Sequence, residues 1–166
     1  MAQPMIARLR ARLLAESGGG RIEVLAPPWV APVARRMPEV DEVIEADFRH
    51  GELQLGDRWR LGRQLKERGY DQAYVLPNTM KSALAPSFAR IPLRVGYLGE
   101  SRVGLLNRIH KAKSASEPMP VHYARLAEEP GVEPAFPLAS PALSFSKEQV
   151  KATAGRFGTH HQLNQS

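Results

Sequence analysis

Two short stretches carry polar side chains suited to holding an anion. Asn78 and Lys81 follow the apolar run Gln72-Ala73-Tyr74-Val75-Leu76, and Glu100 and Arg102 follow a second run at 93–97. A cation near the start of a helix opposes the helix dipole, so a bound phosphate or carboxylate accounts for Lys81 better than the dipole does. A solvated surface lysine is the alternative. A third stretch, Asp57-Arg58-Trp59-Arg60-Leu61-Gly62-Arg63, places three arginines within six positions. Arg60 and Arg63 are spaced i, i+3 and share a helical face, which makes a forked donor for phosphate or carboxylate groups. A merely solvated charged face is again the alternative.

Other chemistries find little support. There is no cysteine, so disulfides, thiolate metal sites and cysteine nucleophiles are excluded. Only His160 and His161 of the five histidines are close in sequence, and no spacing suits a metal, so no metal site and no cofactor is predicted. The triplet Gly18-Gly19-Gly20 comes after a helix and before a strand. A phosphate-cradling loop needs the reverse order, so that helix amides face the anion. No Gly-x-Ser-x-Gly elbow or Walker loop is present.

The bulk properties agree with an anion-directed domain. The 166 residues are 43% hydrophobic and 24% charged with a formal charge of +6, which fits one α/β-sized domain with polyanionic partners. Nucleic acid, phosphorylated sugars and an anionic membrane surface all meet that description. No helix-turn-helix, aromatic-studded sheet or basic stripe stands out, so nucleic acid is not expected as a partner. The absence of cysteine suits a reducing compartment, and a cytoplasmic location is expected. No apolar run approaches the ~18 residues of a membrane-spanning helix.

The elements that must position these residues alternate. Met5, Leu9 and Leu13 recur at i, i+4 and predict an opening helix over residues 1–17, closed by the glycines. Strands are predicted at 22–26, 42–46, 72–76 and 93–97, and helices at 30–36, 57–68, 79–89, 103–108 and 121–128. Strands alternating with helices at this spacing indicate a doubly wound parallel sheet, in which ligands bind beyond the carboxyl ends of the strands. Such a domain ordinarily begins with an apolar strand that lies mid-sheet, whereas this chain begins with a helix. Its first strand is therefore expected to be missing, with two inner strand edges either exposed or forced together with the helices misfitted. Beyond Pro130 the text is Pro-rich, and residues 146–166 read as linker and frayed tail after a domain at 1–145.

The run from Val24 to His110 resembles the lipopolysaccharide heptosyltransferases of glycosyltransferase family 9, ADP-heptose-dependent enzymes of the two-domain GT-B type that add the second heptose. The pieces YDQAYVLPNTMKSAL and VGYLGESRVGLLN carry the resemblance most specifically. It implies the N-terminal, Rossmann-like half of a GT-B fold, which holds the phosphorylated lipopolysaccharide core acceptor, at times against the anionic inner face of the inner membrane. Lys81 falls at the family lysine of the Lys-Ser-Ala segment, and Arg102 at an acceptor-side arginine. Arg58, Arg60 and Arg63 fall in the segment that supplies basic residues for acceptor phosphates.

The resemblance also implies two absences. The family's catalytic aspartate is expected ahead of Met1, so no residue here is assigned as the catalytic base, with Glu100 the only nearby carboxylate to consider as a substitute. The donor ADP-heptose is expected on a second domain that would follow Ser166. A heptosyltransferase truncated at both ends is one reading. A catalytically inactive remnant that binds the phosphorylated acceptor or a partner chain is the other.

Overall fold

A computed structural model describes residues 2–49, 51–113 and 116–158. Helix α1 (Gln3–Ser17) ends at Gly18 in the left-handed conformation, whose amide bonds back to the Leu13 carbonyl. The chain turns into strand β1 (Glu23–Ala26), the short helix α2 (Ala31–Ala34) and strand β2 (Glu42–Glu45). Helix α3 (Leu55–Glu67) leads to strand β3 (Gln72–Val75). A 3-10 turn (Met80–Ala83), helix α4 (Leu84–Phe88) and strand β4 (Leu93–Tyr97) follow. Strand β5 (Arg108–His110), helix α5 (Met119–Arg125) and helix α6 (Lys147–Gly158) complete the order.

Every strand pairing is parallel. β1 lies beside β2 with Val24 opposite Val43, and β4 lies between β3 and β5 with Tyr74 opposite Val95 and Gly96 opposite Ile109. Alternate side chains divide between two faces. On one, Ile22 and Val24 join Tyr74, Leu76, Val95 and Tyr97 beneath Met5 and Ile6 of α1 and Leu126 and Ala127 beyond α5. On the other, Ile44 and Ala73 pack with Leu65 of α3 and with Ala85 and Ala89 from α4. This is the doubly wound arrangement, helices on both faces of parallel strands.

The two pairing groups share both faces yet do not hydrogen-bond to each other, so the sheet carries a seam between β1 and β3. At its amino end the seam is crossed by side chains. Glu23 accepts hydrogen bonds from the Tyr70 hydroxyl and from Arg68 Nη1 (2.5 Å), and Arg68 also meets Glu42 at 2.9 Å.

Three expectations require correction. The helix at 103–108 does not form. Gly104 has φ 91°, and the segment turns through an isolated Val103–Leu106 bridge outside the sheet, with Val103 exposed and Leu106 packed against Val75 and Ala83, before β5 begins. The helix at 79–89 is split into the 3-10 turn and α4, because Pro86 lacks an amide and clashes with the carbonyl four residues back unless it sits in a first turn. Residues 147–158, within the stretch read from composition as linker and tail, form α6, whose described positions are exposed. The frayed end at 159–166, with His160 and His161, lies outside the described residues.

Candidate functional site

Arg102 is the centre of the arrangement at the carboxyl ends of β3 and β4. The loop after β4 turns at Ser101, a non-glycine residue at φ 33°, and wraps back so that the Arg102 carbonyl accepts from the amides of Leu105 (3.0 Å) and Leu106 (3.1 Å). That tight turn sends the side chain inward, and Arg102 is 0% exposed. Its Nη1 donates to Asn78 Oδ1 at 3.3 Å and its Nη2 to the Val75 carbonyl at 3.5 Å, while Nε has no partner. Both contacts are long for charge-assisted bonds, and both acceptors are neutral.

The contrast with the other buried arginines isolates Arg102. Arg125, 3% exposed, donates to both oxygens of Glu117 and to Glu133 at 2.9 Å. Arg58, 5% exposed, donates to the carbonyls of Leu53 (2.8 Å) and Lys81 (2.9 Å), and its guanidinium lies 3.9 Å from the Phe48 ring centroid. Burial pulls the pKa of both Arg58 and Arg102 below the ordinary arginine value, since desolvation penalises the charged form. Among these three, Arg102 alone has neither a carboxylate nor an aromatic face against its charge.

Glycines make the space for it. A Cβ on Gly96 would lie 2.9 Å from Arg102 Nη2 and 3.0 Å from the Val75 carbonyl oxygen. A Cβ on Gly99 would lie 2.5 Å from the Asn78 carbonyl oxygen, so the loops after β3 and β4 approach backbone to backbone. Neither glycine was singled out from sequence, although a glycine inside a strand pattern is the signal for such a close approach.

The remaining residues expected at the site divide. Lys81 lies in the 3-10 turn, half-buried, and has no ion-pair partner among the described residues. Its carbonyl receives the Arg58 guanidinium, so Arg58 ties the start of α3 to the turn that carries Lys81. Asn78 is exposed apart from its bond to Arg102. Glu100 is exposed in the turn before Ser101. Arg60 and Arg63 do not form a fork: Arg60 bonds to Asp57 at 2.9 Å, and Arg63 lies 5.2 Å from the Trp59 ring centroid. The structure therefore brings together Arg102, Asn78 and the Arg58-anchored turn of Lys81, and leaves Arg60 and Arg63 on the outer surface of α3.

A second buried polar cluster escaped the sequence reading. His110 is 1% exposed with neither ring nitrogen partnered, and it meets Tyr97 edge-on at 5.9 Å. The Tyr97 ring stacks on His122 at 3.9 Å and its hydroxyl donates to the His122 carbonyl at 2.5 Å. Burial, then the nearby Arg108 and Arg125, hold the His110 pKa below the ordinary histidine value. Nothing local in the sequence marks these residues, because they meet only across β4, β5 and α5. No group of three potential metal-ligating side chains occurs among the described residues, and no helix there is long and apolar enough to cross a membrane.

The chain is similar to known proteins of one family. The family model described as glycosyltransferase family 9 (heptosyltransferase) matches residues 58–164, which includes α6. Lipopolysaccharide heptosyltransferase 2 of Escherichia coli strain K12 is 43% identical over 142 residues, covering 82% of this chain and 41% of the relative. Lipooligosaccharide heptosyltransferase 2 of Haemophilus influenzae is 43% identical over 139 residues, covering 82% and 40%. The solved structure of E. coli ADP-heptose lipopolysaccharide heptosyltransferase II superposes with a TM-score of 0.80 at 38% identity, over 94% of this chain and 46% of that one. The chain thus spans less than half the length of the relatives it matches.

Proposed function

The chain belongs to glycosyltransferase family 9, and we propose from that membership that it is the acceptor-binding half of an enzyme that transfers heptose from ADP-heptose to the inner core of lipopolysaccharide. The observation that carries the reading is the buried Arg102 guanidinium at the carboxyl ends of β3 and β4, with no counter-charge of its own. A charge taken out of water costs several kcal/mol unless it is paired. An acceptor phosphate held at the exposed Asn78 amide, whose oxygen already accepts from Arg102, brings a counter-charge close to the buried guanidinium, and Lys81 on the neighbouring turn supplies a second cation.

Within this reading Arg102, Lys81 and Asn78 contact the acceptor, and Arg58 positions Lys81 through its carbonyl. Arg60 and Arg63 meet acceptor phosphates only from the outer surface, and Glu100 borders the site. The domain is assigned to residues 1–145, with 146–166 leading away from it. The protein is assigned to the cytoplasm, against the inner face of the inner membrane when it meets its lipid-anchored acceptor.

The test is calorimetric titration of the chain with a phosphorylated inner-core heptose acceptor, and with the same acceptor after phosphatase treatment. Binding that needs the phosphate, and that weakens in Lys81→Ala and Arg102→Ala, supports the proposal. Equal affinity for both acceptors would remove both residues from the site. A release assay for ADP tests the transfer itself: ADP freed from ADP-heptose only when acceptor is present supports the proposed reaction, and none would leave acceptor binding alone.

A further inference from the structure

We propose that Trp29 is the platform on which a sugar ring of the acceptor stacks, a role that rests on the acceptor reading above and adds a subsite to it. Tryptophan is ordinarily a largely buried residue, yet Trp29 is 81% exposed. Among the described residues it meets no other ring, no guanidinium and no acceptor for its indole N–H. The second tryptophan, Trp59, is 51% exposed and has the Arg63 guanidinium 5.2 Å from its ring centroid. Trp29 is also firmly mounted. Pro27 and Pro28 fix two successive φ angles ahead of it, and the Pro27 carbonyl accepts from the amides of Val30 (2.9 Å) and Ala31 (3.1 Å) behind it. With the backbone held, stacking a ligand on the indole orders only the two torsions of the side chain.

The direction of winding puts this turn beside the site. From β1 the chain passes through α2 to β2 on one side of the seam, and from β3 it passes through α4 to β4 on the other. Met37 and Val40, which follow α2, pack in the cluster under α1, whereas Ala85 and Ala89 at α4 pack on the opposite face. The loops after β1 and β3 therefore diverge, and the crevice between two such loops is where open α/β sheets hold ligands. The turn of Trp29 forms one lip of that crevice. Asn78 and the 3-10 turn of Lys81 form the other.

The two lips suit two parts of one molecule. The C–H groups of a pyranose make one of its faces apolar, and an indole offers a broad flat surface with a donor at its edge. Packing the ring on Trp29 supplies contact area, the indole N–H donates to a sugar hydroxyl, and a phosphate on that sugar meets Lys81. The cation then fixes where the acceptor sits. The indole discriminates between sugars, because an axial substituent on the stacked face lifts the ring away from it.

Trp59→Phe leaves Trp29 as the single tryptophan, so its emission reports the contact directly. The probe is a lipid-free, phosphorylated inner-core heptose oligosaccharide. In the Trp59→Phe chain it should shift Trp29 emission to the blue and protect it from acrylamide, and the phosphatase-treated oligosaccharide should do so at higher concentration. By calorimetry Trp29→Ala should weaken binding of both forms about tenfold and Trp29→Phe should keep most of the affinity, whereas Lys81→Ala should weaken only the phosphorylated form. Because Trp29 is exposed, the urea midpoint of Trp29→Ala should match that of the parent. If it does not, the emission experiment still decides, since it leaves position 29 unchanged. Unaltered emission while the oligosaccharide binds through Lys81 overturns the platform and leaves the acceptor reading standing. Failure of the unsubstituted chain to bind either form overturns both. A blue shift produced by ADP alone or by phosphatidylglycerol vesicles alone, and not by the oligosaccharide, gives the indole to a base or a bilayer and sinks the proposal.

Discussion

Replacing Arg102 by methionine should separate stability from binding. The side chain is fully buried, holds two long contacts to neutral acceptors at 3.3 and 3.5 Å, and leaves Nε unpartnered. Desolvation of an ion costs several kcal/mol even after relaxation, whereas a hydrogen bond to a charged group returns about 1.5–3 kcal/mol at good geometry and less at these distances. Exchanging the guanidinium for an unbranched apolar side chain relieves the desolvation cost and gives up only the weaker hydrogen bonds. Arg102→Met is therefore expected to be neutral or to stabilise by about 1–3 kcal/mol, as found when buried ions are exchanged for apolar groups. At about 2–4 °C per kcal/mol for a domain of this size, the melting temperature should hold or rise by several degrees. Urea unfolding followed by circular dichroism at 222 nm measures it. Affinity for phosphorylated acceptor should fall about 10- to 100-fold, or 1.4 to 2.7 kcal/mol, in the same variant. A variant destabilised by more than about 1 kcal/mol would mean that the charge is compensated within the fold, and the argument from an unpaired ion would be wrong.

Further outcomes are expected. Arg125→Met strands Glu117, whose side chain is 10% exposed, and should cost about 3–5 kcal/mol in urea unfolding, with much of the loss recovered in the double variant that adds Glu117→Gln. Arg125 holds the Glu117 carboxyl below its ordinary pKa, so this stabilisation is present above pH 4.5 and is lost as pH falls through the depressed value. His110 titrates with the opposite consequence for its charge: the fold keeps it neutral, so stability drops as pH falls below about 6.5, where the unfolded chain takes up the proton. His110→Phe should flatten the dependence of the urea midpoint between pH 7.5 and 5.5, and an unchanged slope would exclude His110 as its source. Gly62→Ala should lose about 1–3 kcal/mol by overpacking, because the new Cβ would stand 2.5 Å from Phe88 Cβ and 3.0 Å from the Ala85 carbonyl. Gly56→Ala, with open space around it, should instead gain up to about 1 kcal/mol of helix propensity, and a differential scan of the pair checks both.

Much of this was legible in the chain itself. Met5, Leu9 and Leu13 at helical spacing, the glycines that close α1, and the apolar runs of β1 to β4 are local signals, because helix ends and strand burial depend on neighbours in sequence. The alternation of those elements fixed the doubly wound class, and the loops after β3 and β4 were marked by their polar residues. The pieces around Lys81 and Arg102 carried the family resemblance. Tertiary structure decided the rest. The apolar text at 103–109 satisfies a helix or a strand equally, and only the open edge of β4 with Gly104 at φ 91° made it a bridge and β5. The three arginines of α3 look alike in sequence. Phe48, the Leu53 carbonyl and the Lys81 carbonyl make Arg58 a buried anchor, while Asp57 and Trp59 keep Arg60 and Arg63 at the surface. The absence of a counter-charge at Arg102 is a property of everything packed around it, and a sequence carries no local mark of what fails to come near.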